Sequence, residues 1–239
     1  MNGKAKIGVL GASGYTGAET VRLLLAHPRA DIVLLTADRR AGQEMRTVFP
    51  QFSPYKLPKL VSLENIDWPQ AGLDLAVCAL PHATTQKVVK ALLAAAPKTK
   101  VVDISADFRL RDQEAYAKWY VHEHHAPDLQ KEAVYGLVEV YRDEIKKARL
   151  VANPGCYATS VILALRPLIE ADCIAENSSI VCDCKSGASG AGKDPRRDLH
   201  RRTTRPVRYA PWSRRVGLNR LRVRGRVRNS PIVRRYAFL

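Results

Sequence analysis

Cys156 lies in Asn153-Pro-Gly-Cys-Tyr-Ala-Thr-Ser160, just after a Pro-Gly turn and at the head of an apolar run with helical spacing. A helix N-terminus carries partial positive charge and favours the thiolate, the nucleophilic form of cysteine. The chemistry open to such a thiol is covalent attack on an acyl carbon to give a thioester. Most free cysteines instead sit buried and inert, and Cys78, inside Leu75-Ala-Val-Cys-Ala-Leu80, reads as one of these. Cys173, Cys182 and Cys184 are read the same way. Cys182 and Cys184 share a strand face, but no second pair or histidine cluster accompanies them, so no metal site is expected. His122, His124 and His125 read as surface polar residues of a short loop.

The second feature is Gly11-Ala12-Ser13-Gly14-Tyr15-Thr16-Gly17, which follows a strand-like run and opens a helix-like one. Glycines there permit a tight turn and close backbone approach, and the helix offers free N–H groups to a phosphate. The spacing differs from the commoner dinucleotide fingerprint, so a ligand-free strand–helix turn is the competing reading. Twenty-one residues beyond Gly17 comes Asp38-Arg39-Arg40. An acid there suits a ribose hydroxyl, whereas arginines suit the 2′-phosphate of NADP. Two consecutive arginines favour NADP; the alternative is a solvated loop.

The elements that must hold these residues alternate short apolar runs with helical patterns, which predicts α/β architecture on a parallel sheet. Strands are expected at Lys6–Leu10, Ile32–Thr36, Leu73–Leu80, Lys100–Ile104, Val134–Gly136, Arg149–Asn153 and Ser179–Cys184. Helices are expected at Thr16–His27 and Ala83–Ala95, each with apolar residues at helical spacing, and at Gln113–Tyr120, Glu139–Ala148 and Tyr157–Glu170. The stretch punctuated by Pro50, Pro54 and Pro58 reads mostly as loop. A Rossmann-like domain over 1–150 is thus followed by the start of a catalytic or dimerisation domain over 151–192.

Charge is distributed unevenly. The 239 residues carry 39 bases and 23 acids, a net of +16. Residues 193–239 hold 15 Arg, one Lys and two Asp, a net of +14, leaving +2 for residues 1–192. Such a tail gives salt-dependent, sequence-independent affinity for nucleic acid. Its aromatics are too sparse for a stacking platform. The uncharged stretch Leu150–Leu165 falls short of the roughly 20 apolar residues that span a membrane. Five cysteines without a Cys-x-x-Cys pair, and an N-terminus running straight into a strand, suit a cytoplasmic protein.

Six ordered segments together resemble the N-acetyl-gamma-glutamyl-phosphate reductases of the semialdehyde dehydrogenase superfamily. They are the Gly11–Gly17 loop, Leu80-Pro-His82, Asp103-Ile-Ser-Ala-Asp-Phe-Arg-Leu-Arg-Asp112, Ala133-Val-Tyr-Gly-Leu137, Ala152-Asn-Pro-Gly-Cys-Tyr157 and Lys185-Ser-Gly-Ala-Ser-Gly-Ala-Gly192. The resemblance covers residues 4–192. Val138 and Ala158 depart from it, standing where the family often has Pro. It implies that Cys156 attacks an acyl phosphate and that NADPH reduces the resulting thioester to a semialdehyde, in arginine biosynthesis. It also implies that Ser186, Gly187 and Gly190 help line the cofactor or phosphate site, and that the family assembles as homo-oligomers. Arg109 is a candidate anchor for a substrate anion, the alternative being an ion pair with Asp107 or Asp112. Aspartate-semialdehyde dehydrogenase, which shares the Gly-rich loop and a catalytic cysteine, is the close alternative, followed by a lysine-biosynthesis reductase with a carrier-bound substrate.

Beyond Gly192 the resemblance ends: the family's segment with its acid/base histidine has no counterpart, and His200 in Arg-Arg-Asp-Leu-His-Arg-Arg matches nothing of that kind. The catalytic α+β domain is then incomplete, and residues 193–239 are either a disordered basic tail or out-of-frame translation. Frame loss predicts that translating the gene past codon 193 in one of the two alternate frames restores a family-like segment with its histidine. If neither frame does so, the tail is genuine.

Overall fold

The computed structural model describes residues 3–120, 123–174, 179–182, 189 and 220–222. The chain divides into two compact units, Met1–Pro154 and Gly155–Leu239.

The first unit begins with strand β1 (Ala5–Leu10), whose last four residues are all buried. Both faces of such a strand must therefore be covered, the pattern of a parallel sheet with helices on either side. Helix α1 (Tyr15–Leu25) follows and buries Gly17, Ala18 and Val21. After it come β2 (Ala30–Thr36), α2 (Met45–Val48), β3 (Leu60–Val61), α3 (Trp68–Ala71), β4 (Leu75–Cys78), α4 (Thr85–Ala95) and β5 (Lys100–Asp103). The unit closes with α5 (Gln113–Tyr120), α6 (Pro127–Glu132), β6 (Val134–Tyr135), α7 (Val138–Lys147) and β7 (Leu150–Ala152).

These strands form one seven-stranded sheet in the order β3-β2-β1-β4-β5-β7-β6, every pairing parallel. The order reverses between β1 and β4, because the chain builds outward to β3 before returning to the other side of β1. Consecutive residues on a strand face opposite ways, and Val9 and Leu10 belong to two different apolar cores. One core packs Val9 and Leu35 with Val21 of α1, Met45, Phe52 and Leu60. The other packs Leu10 and Val101 with Val89, Leu92 and Leu93 of α4, Phe108 and Leu150. Helices α1 and α4 thus cover opposite faces, which is the doubly wound arrangement expected from the sequence.

Five elements depart from expectation. The proline-punctuated stretch contains α2 and α3, and its Leu60–Val61 pairs with Leu35–Thr36 as the edge strand β3. A two-residue strand offers no alternation to read. Helix α6 lies in the histidine-rich stretch, with Pro127 in its first turn. Strand β4 is also shorter than Leu73–Leu80, since only Leu75–Cys78 keeps ladder bonds on both sides.

In the second unit α8 (Cys156–Glu170) contains Pro167, and none of its residues is buried. Strand β8 (Ser179–Val181) pairs antiparallel with β9 (Arg220–Arg222), Ile180 opposite Leu221. Cys173, expected to be buried, is exposed just past the end of α8, its Sγ 3.6 Å from the Ala171 carbonyl.

A Cβ placed on Gly17 would stand 2.3 Å from the Gly11 carbonyl oxygen and 2.7 Å from the Ala12 Cα. Both neighbours are backbone and cannot rotate aside. Gly17→Ala should therefore lower stability by about 2 kcal/mol, read as a lower urea midpoint with unchanged slope. An unchanged midpoint would show that α1 does not depend on this approach.

Candidate active site

In open α/β sheets the ligand crevice forms at the carboxyl ends of the strands, where the strand order reverses. Here that place is between β1 and β4, and the loops after these strands nearly touch. Gly11 has φ +84°, and a Cβ on it would lie 2.4 Å from the Ala79 carbonyl oxygen. Only glycine meets both conditions. The loop is fixed from the other side by buried Thr36, whose Oγ1 accepts the Gly11 N–H at 3.0 Å and whose carbonyl accepts the Ala12 N–H at 2.8 Å.

Gly14 caps α1 without a side-chain bond, and no acid lies in the first turn. A Cβ on Gly14 would meet nothing closer than 3.6 Å. The head of α1 thus presents backbone N–H groups with neither a side-chain acceptor nor a repelling carboxylate, a setting that fits a dinucleotide pyrophosphate. Ser13 and Gly14 are half-buried, Tyr15 and Thr16 exposed. Arg39 and Arg40 are exposed just past β2, where an adenosine ribose of such a dinucleotide falls.

The neighbouring strand ends carry polar groups. Arg109 donates from Nε to the Asn153 carbonyl and from a terminal nitrogen to the Ile104 carbonyl, both at 2.7 Å. It forms no ion pair with Asp107 or Asp112 and instead ties the end of β5 to the end of β7. Three of its five N–H groups are left over from these two bonds. In the second unit Cys156 is the first residue of α8, exposed, with Gly155 as an N-cap that lends no side chain. Thr159 bonds the Gly155 carbonyl through both its N–H and its hydroxyl at 2.9 Å, fixing that first turn. Ser186, Gly187 and Gly190 lie outside the described residues, as do His122 and Cys184.

The model of the semialdehyde dehydrogenase NAD binding domain matches residues 6–148, and that of the semialdehyde dehydrogenase dimerisation domain matches 156–209. The chain belongs to the semialdehyde dehydrogenase family. An N-acetyl-gamma-glutamyl-phosphate reductase of Afipia carboxidovorans is 66% identical over 199 residues, 83% of this chain and 56% of that protein. One of Jannaschia is 55% identical over 194 residues, 81% of this chain and 55% of that protein. The chain thus spans just over half the length of these relatives. Among solved structures, an aspartate semialdehyde dehydrogenase II of Vibrio cholerae shares the fold. It has a TM-score of 0.54 and 18% identity, covering 80% of this chain and 48% of that one. The dimerisation-domain match ends inside the Arg-rich segment. Among the described residues no helix is long and apolar enough to cross a membrane, and no group of three His, Cys, Asp or Glu residues is placed to hold a metal.

Within this semialdehyde dehydrogenase NAD-binding unit, sequence reasoning passed over a buried polar knot at the end of β5. Asp103 accepts from the Ser105 N–H at 2.9 Å and the Ser105 hydroxyl at 2.8 Å. Asp107 accepts from the Ala83 N–H at 2.8 Å, the Gln86 N–H at 3.3 Å and the Tyr116 hydroxyl at 3.0 Å. His82 Nδ1 accepts the Ala106 N–H at 3.0 Å, so the neutral ring carries its proton on Nε2. Burial, aided by the Arg109 charge, lowers its pKa. His124 is not a free surface residue. Its Nε2 donates to the Asp107 carbonyl at 2.9 Å, its Nδ1 accepts the Ala126 N–H, and its ring meets Phe108 and Tyr116 edge-on. The readable signal was the run Asp103-Ile-Ser-Ala-Asp107, two acids at a strand end with a hydroxyl between them.

Burial pushes the Asp103 carboxyl from 3.8 up to about 6, against the opposing pull of its bonds from Ser105. Between these values the folded chain holds a proton that the unfolded chain has released. Stability contributed at Asp103 is therefore lost as pH rises from about 4 to about 6. The loss is of order 3 kcal/mol. Asp103→Asn, which keeps both Ser105 contacts in reach, should remove that slope in urea unfolding measured across the window. An unaltered slope would place the titration elsewhere.

Proposed function

We propose that the chain carries the cofactor-binding unit and the nucleophile of an NADPH-dependent N-acetyl-gamma-glutamyl-phosphate reductase of arginine biosynthesis. The 66% identity with the Afipia enzyme over 83% of the chain carries this reading. The reaction takes N-acetyl-L-glutamyl 5-phosphate to the 5-semialdehyde and inorganic phosphate.

The Cys156 thiolate bonds to the acyl carbon as the carbon–oxygen bond to phosphate breaks, leaving a thioester and free phosphate. Backbone N–H groups at the uncapped head of α8 face the oxygen on which negative charge develops. The chemistry a bound NADPH would supply is hydride donation at the acyl carbon; the carbon–sulfur bond then breaks, returning the Cys156 thiolate and freeing the semialdehyde. The head of α1 and the loop Gly11–Gly17 hold the pyrophosphate, Arg39 and Arg40 the 2′-phosphate. The remaining N–H groups of Arg109 suit a substrate carboxylate or phosphate. The match to a dimerisation domain supports a homo-oligomer.

NADPH should bind the full 239-residue chain saturably by fluorescence titration, about tenfold more tightly than NADH, and Arg39→Ala with Arg40→Ala should erase that preference. Where an alternate frame past codon 193 restores the family segment, turnover is measured on that protein, and otherwise on the 239-residue chain, as phosphate-dependent reduction of NADP by semialdehyde. N-acetylglutamate semialdehyde should be preferred to aspartate semialdehyde, and Cys156→Ser should abolish turnover while leaving NADPH binding intact. Preference for aspartate semialdehyde would refute the substrate assignment.

A further inference from the structure

Rossmann-type cofactor sites are usually credited to the glycine loop, but here the turn that continues from the residues packed on that loop is held in a costly conformation. The turn Pro81–Thr84 follows β4 after Ala79 and Leu80, the two residues that lie against Gly11. Within it Ala83 has φ +67°, a left-handed conformation that a residue with a Cβ adopts only when its surroundings enforce it. The enforcing group is Asp107. One carboxylate oxygen holds the Ala83 N–H at 2.8 Å, and the other holds the Gln86 N–H in the first turn of α4. A hydroxyl from Tyr116 lies on the same oxygen that holds Ala83.

Asp107 itself is locked. It has no exposed surface, its own N–H donates to the Ser105 hydroxyl at 3.1 Å, and its carbonyl receives His124. His82, the residue before Ala83, is fixed separately by the bond from Ala106. Two bonds from the loop after β5 therefore set the turn after β4.

We propose that Asp107 is a positioning residue for the cofactor: by holding Ala83 left-handed, it preforms the turn that continues from the residues packed on the glycine loop. This rests on the reading that NADPH occupies the β1/β4 crevice. A chain whose turn relaxes spends part of its time unable to bind, and its apparent affinity falls by the competent fraction.

The test is NADPH titration of the full chain by fluorescence, with thermal unfolding followed in parallel. Asp107→Asn keeps the shape but turns an amide N–H₂ toward one of the two backbone donors. It should weaken NADPH binding about tenfold, the population change expected when roughly 1.4 kcal/mol of left-handed strain is no longer offset. Ala83→Gly, placed on top of Asp107→Asn, should recover most of that affinity, because glycine takes φ +67° without cost. It should not recover the lost melting temperature. A purely structural Asp107 gives the opposite: the melting temperature falls, the affinity of folded protein stays at wild type, and Ala83→Gly changes nothing. Should Asp107→Asn fail to fold, Ala83→Val poses the same question, because a β-branched residue opposes the left-handed turn while leaving the carboxylate intact. Wild-type affinity in Ala83→Val would overturn the proposal. If the unaltered chain fails to bind NADPH, the cofactor reading itself fails. Binding by the unaltered chain that neither substitution changes removes only the role of Asp107.

Discussion

The approach of Gly11 to the Ala79 carbonyl is the constraint on which the first unit turns. It exists because β1 and β4 are neighbours although α1, β2, α2, β3 and α3 separate them in the chain. That adjacency requires the sheet to be filled outward from β1 in both directions, with helices on both faces, and hence an apolar residue at nearly every position of β1. The run Ile7-Gly-Val-Leu10 meets the requirement: its four residues are buried, and its last two feed opposite cores. The same adjacency leaves a notch where the two loops diverge. A helix start with unoccupied backbone N–H groups is therefore a consequence of packing.

A second constraint comes from placing carboxylates where the apolar cores end. Asp103 and Asp107 are both fully buried, and a buried carboxylate is tolerated only when its oxygens are occupied by donors. The local sequence supplies them through Ser105, through backbone N–H groups of the turn after β4, and through Tyr116. Arg109 adds a third tie, from β5 to the residue after β7. The loops at the carboxyl edge of the sheet are thus joined by hydrogen bonds whose geometry is directional. Rigid loops on a rigid sheet are what a site with a defined cofactor pose requires. The loss of any one acceptor here leaves a buried donor unpaired, which is more costly than never having had the pair.

The central strands, α1, α4 and the glycine loop were legible because each announces itself within a dozen residues, by a continuous apolar run, a helical stripe or a cluster of glycines. Strand β3 was not, since two residues cannot display a period, and its place is set by pairing with Leu35 and Thr36. Helix α6 was hidden behind histidines that look polar in a row but divide in space: His124 is half-buried against Phe108 and Tyr116, His125 exposed. The role of Asp107 was illegible for another reason. Its partners are backbone N–H groups 21 and 24 residues away, and backbone groups have no residue type to read. Arg109 misled in the same way, because acids nearby in sequence suggest an ion pair, whereas its actual acceptors are two carbonyls.

The two units differ in how their apolar surface is used, and this bears on how firmly the glycine loop and Cys156 are each held. Among the described residues every buried position precedes Asn153, so the crevice rests on cores contained wholly within the first unit. Cys156 rests on α8, where Val161, Ile162, Leu163, Leu165 and Ile169 are only half-buried and Leu168 is 45% exposed. Burial contributes about 25 cal/mol per Å², so α8 draws little of the stabilisation that fixes α1 and α4. A nucleophile needs its geometry held to well under an ångström, whereas a pyrophosphate needs only amides on an already packed turn. The glycine loop and Cys156 are therefore supported by separate energetic sources in this chain. The net charge of +14 beyond Gly192 adds self-repulsion to the second unit alone. Disturbance of that unit should displace Cys156 first and leave the glycine loop standing.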